Sequence, residues 1–80
     1  MPAGDDAARD EMARFEAQAE KAYDAMYDSR NPAACYADLK DSFTAAIGAA
    51  KRAGLHQDAD RLTKRLDHCR QIYRKQFSQF

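Results

Sequence analysis

The chain has 80 residues, and its 13 basic and 13 acidic side chains give a formal net charge of zero. It is long enough for one domain, near the lower limit for chains that fold without disulfides, metals or a partner. The neutral charge argues against a general polyanion binder. Only three glycines and two prolines occur and valine is absent, so the composition favours helices over a sheet.

Residues 5–28 are predicted to form the first helix, after a frayed lead-in at residues 1–4. Asp5 or Asp6 would cap its N-terminus, where the helix dipole favours negative charge. Apolar residues then recur at steps of four and three, which places them on one helical face. This stripe comprises Ala8, Met12, Phe15, Ala19, Ala22 and Met26.

Two further helices are predicted at residues 32–53 and 56–77. Asn31 followed by Pro32 is typical of a helix start, because asparagine caps the N-terminus and proline fits the first turn. Gly54 can adopt the left-handed conformation that ends a helix, with Leu55 packing behind it. The apolar stripes are Tyr36, Leu39, Phe43, Ala46, Ala50 and Ala53, and then Leu55, Ala59, Leu62, Leu66, Cys69 and Tyr73.

The links between the predicted helices have about four and three residues, which makes consecutive helices antiparallel. The sequence therefore predicts an all-α fold, an up-down-up antiparallel three-helix bundle, with residues 5–80 as a single domain. The first and third helices are then parallel, and residue n of the first is expected to lie level with residue n+51 of the third.

Charge is unevenly distributed along the chain. Residues 1–40 hold nine acidic and five basic side chains, whereas residues 41–80 hold four acidic and eight basic ones. We interpret this asymmetry as electrostatic complementarity between the first and third helices, worth about 0–1 kcal/mol per exposed pair. The expected register sets Glu16, Glu20, Asp24 and Asp28 beside Asp67, Arg70, Arg74 and Lys75.

Aromatic residues concentrate at the end of the bundle that holds the first link and the C-terminus. They are Tyr23, Tyr27, Tyr36, Tyr73, Phe77 and Phe80. Tyrosine suits protein interfaces, because its ring is apolar and its hydroxyl polar. We favour the interpretation that these residues close the end of the core, and a binding surface is the alternative.

No set of residues with catalytic or metal-binding spacing is present. His68 and Cys69 are adjacent on one helix, so their side chains point about 100° apart and cannot pair as nucleophile and base. The two histidines and two cysteines match no metal-ligand pattern. The sequence predicts a non-catalytic protein without cofactor or metal.

No apolar run reaches the roughly 18 residues of a membrane-spanning helix. The acidic N-terminus does not resemble a secretory signal, and the cysteines Cys35 and Cys69 are expected to be reduced thiols. A cytoplasmic location is therefore predicted.

Two surfaces are candidates for binding. The outer side of the second helix carries small, uncharged residues where a solvated helix would usually carry glutamate or lysine: Ala37, Thr44, Ala45 and Gly48. A glycine within a helix costs about 1 kcal/mol relative to alanine, so either that loss is tolerated or a partner packs closely there.

The alternative is a basic face for nucleic acid or an acidic ligand, formed by Arg61, Lys64, Arg65, His68 and Lys75. Neutral net charge and the interleaved Asp60 and Asp67 disfavour nucleic acid.

The pattern Tyr36-x2-Leu39-x3-Phe43-x2-Ala46-Ile47, followed by Gly54, resembles the second helix of a tetratricopeptide repeat. The three-helix plan with Tyr73 late in the third helix also resembles a microtubule-interacting-and-trafficking (MIT) module. Such modules bind peptides or helices in grooves between their helices and perform no chemistry. The resemblance therefore implies a protein–protein interaction module or accessory protein. The small-residue face of the second helix adds the expectation that its partner is another protein or a second copy of itself.

Overall fold

A computed structural model describes residues 3–77 of the chain, and the side chains of residues 6–77. It contains three α-helices: α1 at Ala3–Asp28, α2 at Pro32–Arg52 and α3 at His56–Gln76. α2 packs along both α1 and α3, whereas the backbones of α1 and α3 approach each other at few points. The predicted all-α three-helix bundle is confirmed. Its shape is elongated and flattened, with extents of 51 × 19 × 13 Å.

The first helix begins at Ala3, two residues earlier than predicted. Positions 3 and 4 therefore belong to the helix rather than to a frayed lead-in, and positions 5 and 6 lie within its first turn instead of capping it. Negative charge in a first turn is favoured by the helix dipole, which explains how the helix extends past the predicted start. Residues 1 and 2 of the predicted lead-in lie outside the described residues.

The ends of α2 follow the predicted signals. The Asn31 side chain accepts a hydrogen bond from the backbone N–H of Ala34, and Pro32 occupies the first helical position. At the other end Gly54 has a φ of +74°, and the backbone N–H groups of Gly54 and Leu55 donate to the carbonyl oxygens of Lys51 and Ala50. This pair of bonds is a Schellman motif, which satisfies two carbonyl groups that the helix end leaves free.

The core is formed largely by small residues on α1 and α2. Ala19, Ala46, Ala49 and Ala50 are fully buried. Their lack of bulk permits close approach of the two helices. The largest fully buried side chains are Phe43, Met26, Leu39, Leu62 and Cys69. Ala49 was not part of the predicted stripe, and the predicted core residues Tyr36, Ala53 and Tyr73 are only partly buried.

The predicted register between α1 and α3 is wrong in the middle of the bundle, although Tyr27 and Phe77 still meet at its end, 50 residues apart. Two ion pairs join these helices, Glu16 with Arg61 and Glu20 with Arg65, and each spans 45 residues instead of the expected 51. Arg70, expected beside the acidic residues of α1, instead forms an ion pair with Asp67 on its own helix. Helix complementarity is confirmed, with different basic partners.

Gly48 is half-buried beneath the side chain of Arg52, and a Cβ atom built on it would lie 3.5 Å from the Arg52 Nη1 atom. That distance is an ordinary van der Waals contact, so the bundle itself does not require glycine at this position.

Replacing Gly48 with alanine is expected to raise the free energy of unfolding by about 0.5–1 kcal/mol, because alanine has the higher helix propensity. Gly54→Ala is the matched control. It should destabilise by about 1 kcal/mol, since the positive φ of Gly54 strains any residue with a Cβ atom. Urea denaturation of dilute protein measures both changes. A destabilising Gly48→Ala variant would show that this helix position needs glycine within the monomer.

Candidate interaction surface

Two arginines of α3 reach across to two glutamates of α1. The Arg65 guanidinium donates two hydrogen bonds of 2.8 Å to the two carboxylate oxygens of Glu20. Arg61 donates bonds of 2.7 and 3.2 Å to Glu16 and also contacts Asp58. The hydrogen bonds from Arg65 lower the pKa of Glu20, and those to Glu16 and Glu20 raise the pKa of the two guanidiniums. Such bidentate ion pairs fix the relative orientation of the two side chains in addition to providing electrostatic attraction.

Arg65 also covers the ring of Tyr23, with its guanidinium carbon 4.9 Å from the ring centroid. The Tyr23 hydroxyl lies 2.7 Å from the Tyr27 hydroxyl, so the two phenols share a hydrogen bond. That bond, together with burial, raises the pKa of Tyr23 to about 12. Arg65 thus connects the charged middle of the α1–α3 seam to its aromatic end.

The aromatic residues at that end pack against one another across all three helices. Tyr27 meets both Tyr23 and Phe77 edge to face, with ring centroids 5.3 and 5.5 Å apart. Tyr36 stacks on Tyr73 at 4.2 Å with nearly parallel rings, and Tyr73 stacks on Phe77. These contacts fit the interpretation that the aromatic residues close the core. Phe80, the sixth predicted member, lies outside the described residues.

Side chains with potential chemistry do not converge. In the part of the chain with described side chains, no group of three or more histidine, cysteine or acidic residues is arranged to hold a metal ion. Cys35 and Cys69 are free thiols. Burial raises the pKa of the Cys69 thiol, which keeps it protonated and a poor nucleophile. That the protein is no enzyme and takes no cofactor remains a prediction from the sequence.

The predicted basic face is divided by the α1–α3 ion pairs. Arg61 and Arg65 are engaged by carboxylates of α1 and are not the solvated cations that the prediction assumed. Lys64, His68 and Lys75 are exposed. The charges of Arg61 and Arg65 are therefore neutralised within the bundle.

The predicted partner face of α2 lies on the outside of the bundle, but its members differ in exposure. Ala37 and Thr44 are exposed, and the Thr44 hydroxyl donates to the Lys40 carbonyl of its own helix. Ala45 and Gly48 are half-buried, and Gly48 lies under the Arg52 side chain, which pairs with Glu11 of α1. Gly48 therefore lies at the seam between α1 and α2, and Ala45 precedes it by about one helical turn on the same helix.

A shallow groove of about 420 Å³ runs along this seam. Its lining includes Lys21, Ala22 and Ala25 from α1, and Cys35, Asp38 and Asp41 from α2. Its lining combines small side chains with charges of opposite sign, a lysine from α1 and two aspartates from α2. We name this surface, together with Ala45 and Gly48 beside it, the outer α1–α2 face.

Of this face, the sequence predicted only Ala45 and Gly48. The prediction missed Lys21 and Ala25 on α1 and Asp38 and Asp41 on α2, because it treated α2 without its neighbour. The available signal was a basic residue beside the α1 stripe and two acidic residues beside the α2 stripe. It acquires meaning only when the pairing of the two helices is known.

Comparison with protein-family models, with curated proteins and with solved structures yields no significant match for this chain. No helix within the described residues is long and apolar enough to cross a membrane.

Replacing Arg65 with alanine is expected to destabilise the bundle by about 1–2 kcal/mol, because it removes a bidentate ion pair and a cation–π contact together. Arg61→Ala is the matched control on the same helix face, and its half-exposed pair should cost about 0.5 kcal/mol. Urea unfolding gives the free energy of unfolding of both variants. A double-mutant cycle of Glu20→Ala and Arg65→Ala then gives the coupling free energy between Glu20 and Arg65. Equal losses in the free energy of unfolding for Arg61→Ala and Arg65→Ala would contradict a larger contribution of Arg65 to stability.

The raised pKa of Tyr23 predicts a loss of stability at high pH. Between about pH 10 and 12 an unfolded tyrosine releases its proton while folded Tyr23 retains it, so the unfolded state binds fewer protons and is favoured as pH rises. Tyr27→Phe should move the Tyr23 titration towards its ordinary range, whereas Tyr36→Phe should leave it unchanged. Ultraviolet titration of the phenolates measures this, and identical Tyr23 titrations in all three proteins would contradict it.

Proposed function

We propose that this protein is a small, non-catalytic interaction module that binds another protein through the outer α1–α2 face. The observation that supports this proposal is the contrast between the two seams of α1. On the α3 side, Glu16 and Glu20 pair with arginines and the aromatic rings pack together. On the outer side Glu11 pairs with Arg52, whereas the charged residues Lys21, Asp38 and Asp41 form no ion pair or hydrogen bond within the described residues.

The shape and chemistry of the groove suit a helix. Ala22, Ala25 and Ala45 present small side chains, which let a partner backbone approach closely. The adjacent charges can orient the partner and exclude wrong registers. This mode of binding agrees with the expectation from the resemblance to helical interaction modules. A cytoplasmic location stays a prediction from the sequence.

The alternative function, binding of nucleic acid or an acidic ligand by α3, has less support. Affinity for a polyanion grows with the number of free cations that contact it. Arg61 and Arg65 already pair with glutamates, and Arg70 pairs with Asp67. We therefore place the interaction on the opposite side of the bundle.

Photo-crosslinking in the host cell tests the proposal. A photoreactive amino acid replaces exposed Ala25 on the outer face, and a matched variant carries it at exposed Gln71 on α3. We expect a defined crosslinked protein from position 25 and none from position 71. Lys21→Glu in the same chain should reduce the yield, because it reverses a charge beside the groove.

Equal crosslinking from both positions, or none from position 25, would contradict an interaction through this face. Mass spectrometry of the crosslinked product identifies the partner, whether it is a different protein or the same chain.

A further inference from the structure

We propose that the partner of the outer α1–α2 face is a second copy of this chain, forming an isologous dimer in which Lys21 of each copy pairs with Asp41 of the other. This inference rests on the proposed function and names its partner. It is carried by the arrangement of unpaired charges on the two helices, together with the symmetry that this arrangement permits.

The charges on the face are self-complementary. α1 contributes Lys21 on one side of the groove, and α2 contributes Asp38 and Asp41 on the other. None of the three is paired within the described part of the chain. Elsewhere in the bundle, interhelical ion pairs join Glu11 with Arg52, Glu16 with Arg61 and Glu20 with Arg65.

A two-fold axis parallel to the helices brings these charges together. Such an axis places α1 of one copy against α2 of the other, and the two are antiparallel, as in a four-helix bundle. It also preserves height along the helices. The Glu11–Arg52 pair across the antiparallel α1 and α2 sets Lys21 nearly level with Asp41 in the groove, so Lys21 faces Asp41 of the second copy, twice per dimer.

The area is sufficient for a weak dimer. A helix of 20 residues spans roughly 30 Å, and two helices 8–10 Å apart present a face about 18 Å wide, so a dimer buries on the order of 1,100 Å² in total. That value is at the lower end of specific interfaces, and the small side chains add little apolar burial. The expected affinity is therefore micromolar or weaker, and it should fall with added salt.

Reversing the charge of Lys21 or of Asp41 tests the dimer, because a variant that only disturbs its own chain cannot be rescued by mixing it with the other variant. Lys21→Glu alone sets glutamate against aspartate in the dimer, and Asp41→Lys alone sets lysine against lysine. An equimolar mixture of the two variants restores an opposite-charge pair at both contacts of the heterodimer. Lys64→Glu on exposed α3 is the control for a change in net charge.

Sedimentation equilibrium over micromolar to millimolar concentrations is the measurement. We expect wild type and Lys64→Glu to dimerise, each face variant alone to dimerise roughly tenfold or more weakly, and the mixture to recover most of the wild-type affinity. Circular dichroism confirms that the variants keep their helices.

A wild type that remains monomeric at millimolar concentration overturns the proposal, as does a dimer that neither variant weakens or that the mixture fails to restore. A monomeric wild type that still crosslinks from position 25 to a different protein overturns only the choice of partner. Absence of any crosslink from that position removes the proposed function as well.

Discussion

The close packing of α1 against α2 over alanine side chains is the constraint on which the rest of this bundle depends. Ala19, Ala46 and Ala49 are fully buried and occupy little volume, so the backbones of these two helices can approach closely. Such a contact buries little apolar surface per residue. Larger side chains of α2 and α3, Phe43 and Leu62 among them, supply the remaining bulk of the core.

This constraint determines how α3 is attached. Because α2 takes most of the backbone contact, α1 and α3 are joined by long side chains instead of by close packing. Arg61 and Arg65 span the distance to Glu16 and Glu20, and Tyr27 meets Phe77 at the end of the bundle. The uneven distribution of charge along the chain thus serves to position one helix. Exposed pairs of this kind contribute modestly to stability, and their larger effect is on register.

The same packing leaves the opposite side of the α1–α2 pair uncovered. Small residues that suit a close helix pair also form a shallow groove on its outer side, with Lys21 on one helix and Asp41 on the other. A third helix of the same chain cannot cover both sides of the pair. The proposed interaction therefore uses a surface that the fold itself creates, and its charges favour an antiparallel arrangement of helices across the contact.

The amino-acid sequence alone determined the three helices, their antiparallel order and the two ends of α2. Asn31, Pro32 and Gly54 act through local hydrogen bonds and backbone conformation, which nearby residues specify. The relative heights of α1 and α3, and hence the pairing of Glu20 with Arg65, were decided by tertiary packing. The periodic pattern does not specify the height of one helix relative to another, because a shift of one helical turn leaves the apolar stripe on the same face. The outer α1–α2 face was likewise visible only in the folded chain, since it combines residues of two helices that periodicity describes one at a time.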